Sequence, residues 1–316
     1  MNPVCKTLGI TYPIVQGGMG NISNAQLAAA VSEAGGLGTI GCGTMTPKQV
    51  EKIIKETTER TNKPFAVNIA INVSEHVEEL IQLVTEYNVP VVSLSAGNPA
   101  GYIPVLREHN VKVLAVVASV KHAKKAETAG ADIIVAEGFE AAGINSNLEL
   151  TTFTLIPQVS RNVSVPVIAA GGVGDGRGLA AALALGASGV QLGTCLISTK
   201  EAPFHDVYKK GLVASEGFGT ILIGRTYGRM RRILNTDYAQ QLQELEMNGM
   251  SLEQYSTMTS ELQHKKGALD GDLEHGFMNA GQVTGLIERV MTVQEVIDGM
   301  VNGAKKQLEN MSGLLE

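Results

Sequence analysis

The chain has 316 residues, a length that suits one large α/β domain or two small ones. At 44% apolar and 18% charged it has the composition of an ordinary globular protein. Its net charge of −6 argues against non-specific binding to nucleic acid, which needs a basic surface, while leaving room for a local basic patch.

From Met1 to Lys6 no basic stretch precedes an apolar one, so no signal peptide is read. The apolar runs stop well short of the roughly 20 residues that a membrane span needs. Short apolar segments then alternate with amphipathic ones. The candidate strands are 13–16, 37–40, 65–69, 91–94, 113–117, 133–136, 167–170 and 189–192. Most are continuously apolar, as parallel strands buried on both faces are. Between them lie candidate helices at 25–33, behind a Ser23-Asn24 cap, and from Thr46-Pro47 to 59, with proline in the first turn. Others follow at 75–87, 101–108, 120–129, 151–161 and 178–185.

A weak echo supports repeated βα units. Ala34-Gly35-Gly36-Leu37-Gly38, Ala129-Gly130-Ala131-Asp132-Ile133 and Leu185-Gly186-Ala187-Ser188-Gly189 each set a helix end, a glycine turn and a strand in that order. Eight such units predict an α/β fold, a (β/α)8 TIM barrel. The rival, a doubly wound sheet, has no natural place for eight parallel strands with glycine-rich loops after the first and the last two. After Ser198 the chain turns polar and is read as helical without strands, with helices at 200–210, 237–248 and 252–263, and again at 280–290 and 293–309. The expected organisation is a barrel over 1–200, a helical insertion or lid over 201–275, and a segment over 276–316 that returns to the barrel.

Barrel chemistry sits at the C-terminal strand ends. There the sequence places Gln16-Gly17-Gly18-Met19-Gly20, Asn68, Glu137-Gly138, Gly171-Gly172 and Gly193-Thr194. Loops after the seventh and eighth strands often bind phosphate through backbone N–H groups, and glycine allows the close approach. Ordinary tight turns are the plain alternative. Two glycine-rich loops in the phosphate positions, with Gly17-Gly18 after the first strand, favour a phosphate-bearing ligand. Cys5, Cys42 and Cys195 show no pairing pattern and suit a reducing cytosol, hence a cytoplasmic protein. His76, His109, His122, His205, His264 and His275 are scattered, and no metal site is expected.

The pieces Gln16-Gly17-Gly18-Met19, Pro64-Phe65-Ala66-Val67-Asn68-Ile69, Ala136-Glu137-Gly138, Ile168-Ala169-Ala170-Gly171-Gly172, Gln191-Leu192-Gly193-Thr194 and Met278-Asn279-Ala280-Gly281-Gln282 occur in this order across nearly the whole chain. In them the sequence resembles the nitronate monooxygenase family and, more closely, its FMN-dependent enoyl-ACP reductase branch. The resemblance implies FMN, with Gly17, Gly18 and Met19 under the ring and Asn68 beside it. Gly171, Gly172, Gly193 and Thr194 would hold the phosphate. Glu137, Gln191 and Gly281 would complete the cofactor site, and Gln282 would close it. Asn68 as a loop cap and Glu137 as an outer hydrogen-bond partner are the plain alternatives.

Two departures stand out. Where the family commonly has a histidine, the expected base in nitronate oxidation, this chain has Ile144, which cannot move a proton. After Thr194, where an arginine and an aromatic residue are usual, it has Cys195-Leu196. His275 is a candidate replacement base. Arg225, Arg229, Arg231 and Arg232 form a basic cluster, read either as a solvated helix end or as a substrate patch using Arg229 and Arg232 against the phosphates of a nicotinamide cofactor, CoA or an acyl carrier protein. The expected activity is reduction of an activated alkene such as an enoyl thioester, with NADH or NADPH as reductant. The alternatives are a nitronate monooxygenase using O2, and a flavin-binding protein without catalysis. No nucleic acid and no membrane is expected as a partner; a second copy, in a homodimer, is.

Overall fold

The structure, a computed structural model, describes residues 1–311. Eight parallel strands form the central sheet: β1 (Ile14–Gln16), β2 (Gly38–Gly41), β3 (Phe65–Ala70), β4 (Val91–Ser95), β5 (Lys112–Val117), β6 (Ile133–Glu137), β8 (Val167–Ala170) and β9 (Gly189–Leu192). Their order is β1-β9-β8-β6-β5-β4-β3-β2, and a bridge between Val15 and Leu37 brings the two ends together. Helices lie between successive strands, and the result is a (β/α)8 TIM barrel.

Alternation along the strands explains the two layers of core. Val15, Leu37, Ala66, Val91, Leu114, Ile133, Val135, Ile168 and Ala170 point inward and pack together. Their neighbours, such as Val113, Ala115, Ile134 and Ala169, point outward to the helices. A helix over Pro3–Leu8, unforeseen in the sequence, is capped by the Asn2 side chain and adds Val4 and Leu8 to the inner layer.

The eighth strand is followed only by a short helix, Thr194–Ile197. The long helix Val293–Met311 instead packs against the Gly176–Ala184 helix and takes the outer position there. The two backbones meet at glycines: a Cβ on Gly176 would stand 2.4 Å from the Ala304 nitrogen.

The chain between these parts differs from the strandless reading. β10 (Thr220–Ile223) and β11 (Arg231–Leu234) form an antiparallel pair, and β11 also pairs with β7 (Gly143–Ile144). Turns at Gly224 (φ 78°) and Gly228 (φ 63°) lie between β10 and β11. Tyr238, Leu242, Tyr255 and Phe277 pack with Ile223 and Ile233 as a separate apolar cluster. The 280–290 stretch, read as a helix, is a single 3-10 turn over Gln282–Leu286. Among the described residues no helix is long and apolar enough to cross a membrane.

Candidate active site

The C-terminal strand ends open into a cavity of about 710 Å³. This lies within the range of roughly 300–1,000 Å³ usual for small-molecule and cofactor sites. Of the residues singled out in the sequence, Gly17, Gly18, Met19, Asn68, Glu137, Gly171, Gly172, Gln191, Gly193, Thr194, Gly281 and Ile144 line it. Gln282, Arg229, Arg232 and His275 are not among the lining residues.

The two phosphate-type loops are brought together by the register of β8 and β9, in which Ala170 stands beside Gln191. Gly171 and Gly172 have φ of 84° and 75°, a region that other residues rarely enter. The Gly138 carbonyl would lie 2.8 Å from a Cβ on Gly171. Across from them, a Cβ on Gly193 would meet nothing within 4 Å, so this loop borders open space. The Thr194 hydroxyl accepts a hydrogen bond from the Gly281 N–H at 2.9 Å, which ties the returning segment to the β9 loop. Its own hydrogen remains available to a ligand. The next residue, Gln282, donates its N–H to the Glu140 carbonyl at 3.0 Å, but its side chain is exposed. The Asn68 amide is held by the Ser93 carbonyl and the Ser95 hydroxyl, both at 3.1 Å, against Gly18. Cys195 is buried, and burial, aided by Asp175, pushes its thiol up to about 12, so it stays protonated.

Glu137 ends β6 half-buried at the cavity wall, and burial pushes its carboxyl up to about 7. An unfolded glutamate ionises near pH 4.3, so the folded protein binds the extra proton between that value and about 7. The stability carried by the neutral acid is complete below the unfolded pKa, falls as pH rises through this window and stays lost above it. Glu137→Gln should therefore leave thermal stability unchanged near pH 4. At pH 8 it should raise Tm by about 2 °C, allowing for screening by cavity water. Equal shifts at both pH values in differential scanning calorimetry would assign the effect to packing instead.

One group of cavity residues was not picked out in the sequence. Glu261 accepts from Asn21 Nδ2 at 2.9 Å and from Arg231 at 3.3 Å, and its other partner is His264, 3.5 Å away. Burial opposes charge on Glu261, but these neighbours hold its carboxyl well below the usual range. His264 is buried, stacks on Phe277 and contacts the Asn279 amide at 3.1 Å. Burial lowers its pKa despite the pull of Glu261. The sequence signal was Glu261 and His264 three apart on one short helix, a spacing that puts them on one face. By contrast His275, the candidate base, is exposed and pairs with Asp272 at 3.1 Å outside the cavity.

The arginine cluster is divided by β11. Arg231 stands beside Ile144 in the ladder and turns to Glu261. Arg232 is buried, donates to the Phe139 carbonyl at 3.1 Å and lies over the Phe139 ring. It is no solvated docking charge. Arg225 pairs with Glu149, and Arg229 is exposed beside Ser256. Arg232→Ala should thus lower stability by about 1–3 kcal/mol, since it removes the charged hydrogen bonds to the Phe139 carbonyl. KM for any phosphorylated substrate should stay within about twofold, on the scale where 1.4 kcal/mol is tenfold. A large KM change at unchanged Tm would restore the docking role.

The family model described as nitronate monooxygenase matches residues 2–303. The chain belongs to the nitronate monooxygenase family. Its structure is similar to that of FabK from Thermotoga maritima, at 42% identity and a TM-score of 0.95 over 99% of both chains. It is also similar to the nitroalkane oxidase from Streptomyces ansochromogenes, at 28% identity and a TM-score of 0.85 over 98% of this chain and all of the other. A hydroxy-methyl-oxo-octahydroindene carboxyl-CoA dehydrogenase of Rhodococcus jostii is 32% identical, over 98% of this chain and 97% of that protein. The nitronate monooxygenase family assignment and these neighbours make the chain an oxidoreductase.

Proposed function

We propose that this oxidoreductase binds FMN and reduces an activated alkene, such as the enoyl group of a CoA or acyl-carrier thioester, with NADH or NADPH. The observation that carries the reading is Ile144. This apolar side chain lines the cavity, and the resemblance to the family would put there the histidine base that nitronate oxidation calls for. The family match and the likeness to FabK, an enoyl-ACP reductase, support it further.

The cavity residues fit FMN on their own geometry. Gly193 leaves space where a side chain would project, the Gly171-Gly172 backbone bends as only glycine does readily, and Thr194 keeps a hydroxyl hydrogen to donate. These residues would hold the phosphate, and Gly17, Gly18, Met19 and Asn68 would border the ring. Bound there, FMN supplies two-electron transfer between a nicotinamide and the alkene. The chain's part is to align the partners and to keep water from the wall formed by Met19 and Val173.

Anaerobic mixing tests the reading. Bleaching of the bound flavin by NADH or NADPH supports the reductase. Bleaching only by an alkyl nitronate would instead favour a nitronate monooxygenase, the reading that the nitroalkane oxidase likeness supports. Bleaching by neither would overturn both.

A further inference from the structure

The stretch Lys121-His122-Ala123-Lys124-Lys125 puts three lysines and a histidine into five residues of an acidic chain. All four lie in the first turns of the Val120–Ala129 helix, and all four are exposed. Among the described residues the ion pairs engage other cations. His122 and Lys125, three residues apart, share a helix face, and both line the cavity.

Charge is unevenly distributed around that cavity. Its basic side chains are His122, Lys125, Arg231 and His264, and the last two are engaged by Glu261. Its carboxylates are Glu137, Glu140 and Glu261. An entering phosphoryl group is repelled by Glu140 and Glu261, and among the lining residues only Lys125 offers it an ammonium in no ion pair, with the His122 imidazole on the same helix face as a hydrogen-bond partner. Position adds to this. The helix follows β5, and Asn98 after β4 lines the adjoining rim. Around the ring β5 and β4 stand three and four strands from β9, across the mouth from the Gly193 loop.

We propose that His122 and Lys125 form a second phosphoryl-binding subsite, which holds the phosphate or pyrophosphate of the co-substrate whose reacting end enters the cavity. This rests on the reductase reading for the identity of that co-substrate, either a nicotinamide dinucleotide or a phosphopantetheine thioester. The subsite replaces Arg232, whose guanidinium is committed to Phe139.

Calorimetric titration tests it on the full chain with excess FMN present, using ADP, adenosine 2′,5′-bisphosphate and CoA as separate probes at low and high salt. Lys125→Glu, an exposed change that spares the fold, should weaken at least one probe on the order of tenfold at low salt. The difference should shrink as salt rises, and FMN binding should be unchanged. Loss of ADP binding identifies the dinucleotide pyrophosphate, loss of the bisphosphate alone points to NADPH, and loss of CoA alone to the thioester arm. If no probe binds the native protein, or all bind native and variant alike, the subsite is overturned. The measurement needs no turnover. Binding that depends on Lys125 in a protein whose flavin no nicotinamide reduces would sink the reductase reading and keep the subsite.

Discussion

Gly193→Asp is expected to fold normally and to lose its flavin. A Cβ at this position meets no other atom within 4 Å and Gly193 lines the cavity, so the first atom of the new side chain brings no clash. The new carboxylate would instead face the proposed phosphate site between the β8 and β9 loops. Two unit charges about 4 Å apart repel by roughly 4 kcal/mol at an effective dielectric near 20. With part of this screened, FMN affinity should fall about 100-fold. Equilibrium dialysis gives the affinity, and circular dichroism checks the fold. Unchanged FMN binding would remove the phosphate assignment, as would release of FAD rather than FMN from the native protein.

Ile144 leads to the second large effect. Abstraction of a proton beside a nitro group needs a base within hydrogen-bond reach, and such catalysis is worth about 10²–10⁴-fold. Ile144 offers none, and its ladder partner Arg231 is held by Glu261. Neutral nitroalkanes should therefore turn over about 10²–10⁴-fold more slowly than in the Ile144→His variant. NAD(P)H oxidation depends on alignment rather than on a base and should be similar in both. A preformed nitronate, which has already lost the proton, should react with either protein. Ile144 is half exposed, so an imidazole fits without disturbing the core. Rapid oxidation of a neutral nitroalkane by the native enzyme would reverse the order of the two functional readings.

The barrel was legible because its strands announce themselves. Segments such as 133–136 and 167–170 are apolar on both faces and run into a glycine within two residues, Gly138 and Gly171, a pattern typical of buried parallel strands. The same clarity extended to the loops after β1, β8 and β9, whose glycines line the cavity. The small sheet was hidden because β11 begins with Arg231-Arg232, which read as solvated charge. Burial of Arg232 depends on Phe139, 93 residues away, and no local pattern reports such a partner. His264 was obscured in the same way. Its importance comes from Glu261, Asn279 and Phe277 converging on it, and only the first is a close neighbour in sequence. The Pro3–Leu8 helix was too short for periodicity to show.

The Val293–Met311 helix, seated against the Gly176–Ala184 helix, has a consequence for how the protein is made. All eight barrel strands have been synthesised by Leu192, yet the helix that covers this flank follows about a hundred residues later. A nascent chain therefore lacks, until then, the helix that packs on Gly176–Ala184 and whose Val296, Ile297 and Met300 are buried in the finished core. Domains generally fold as units during synthesis, and transiently exposed apolar surface invites aggregation. Chains stalled before residue 293 should depend on chaperones in a way that the completed chain does not.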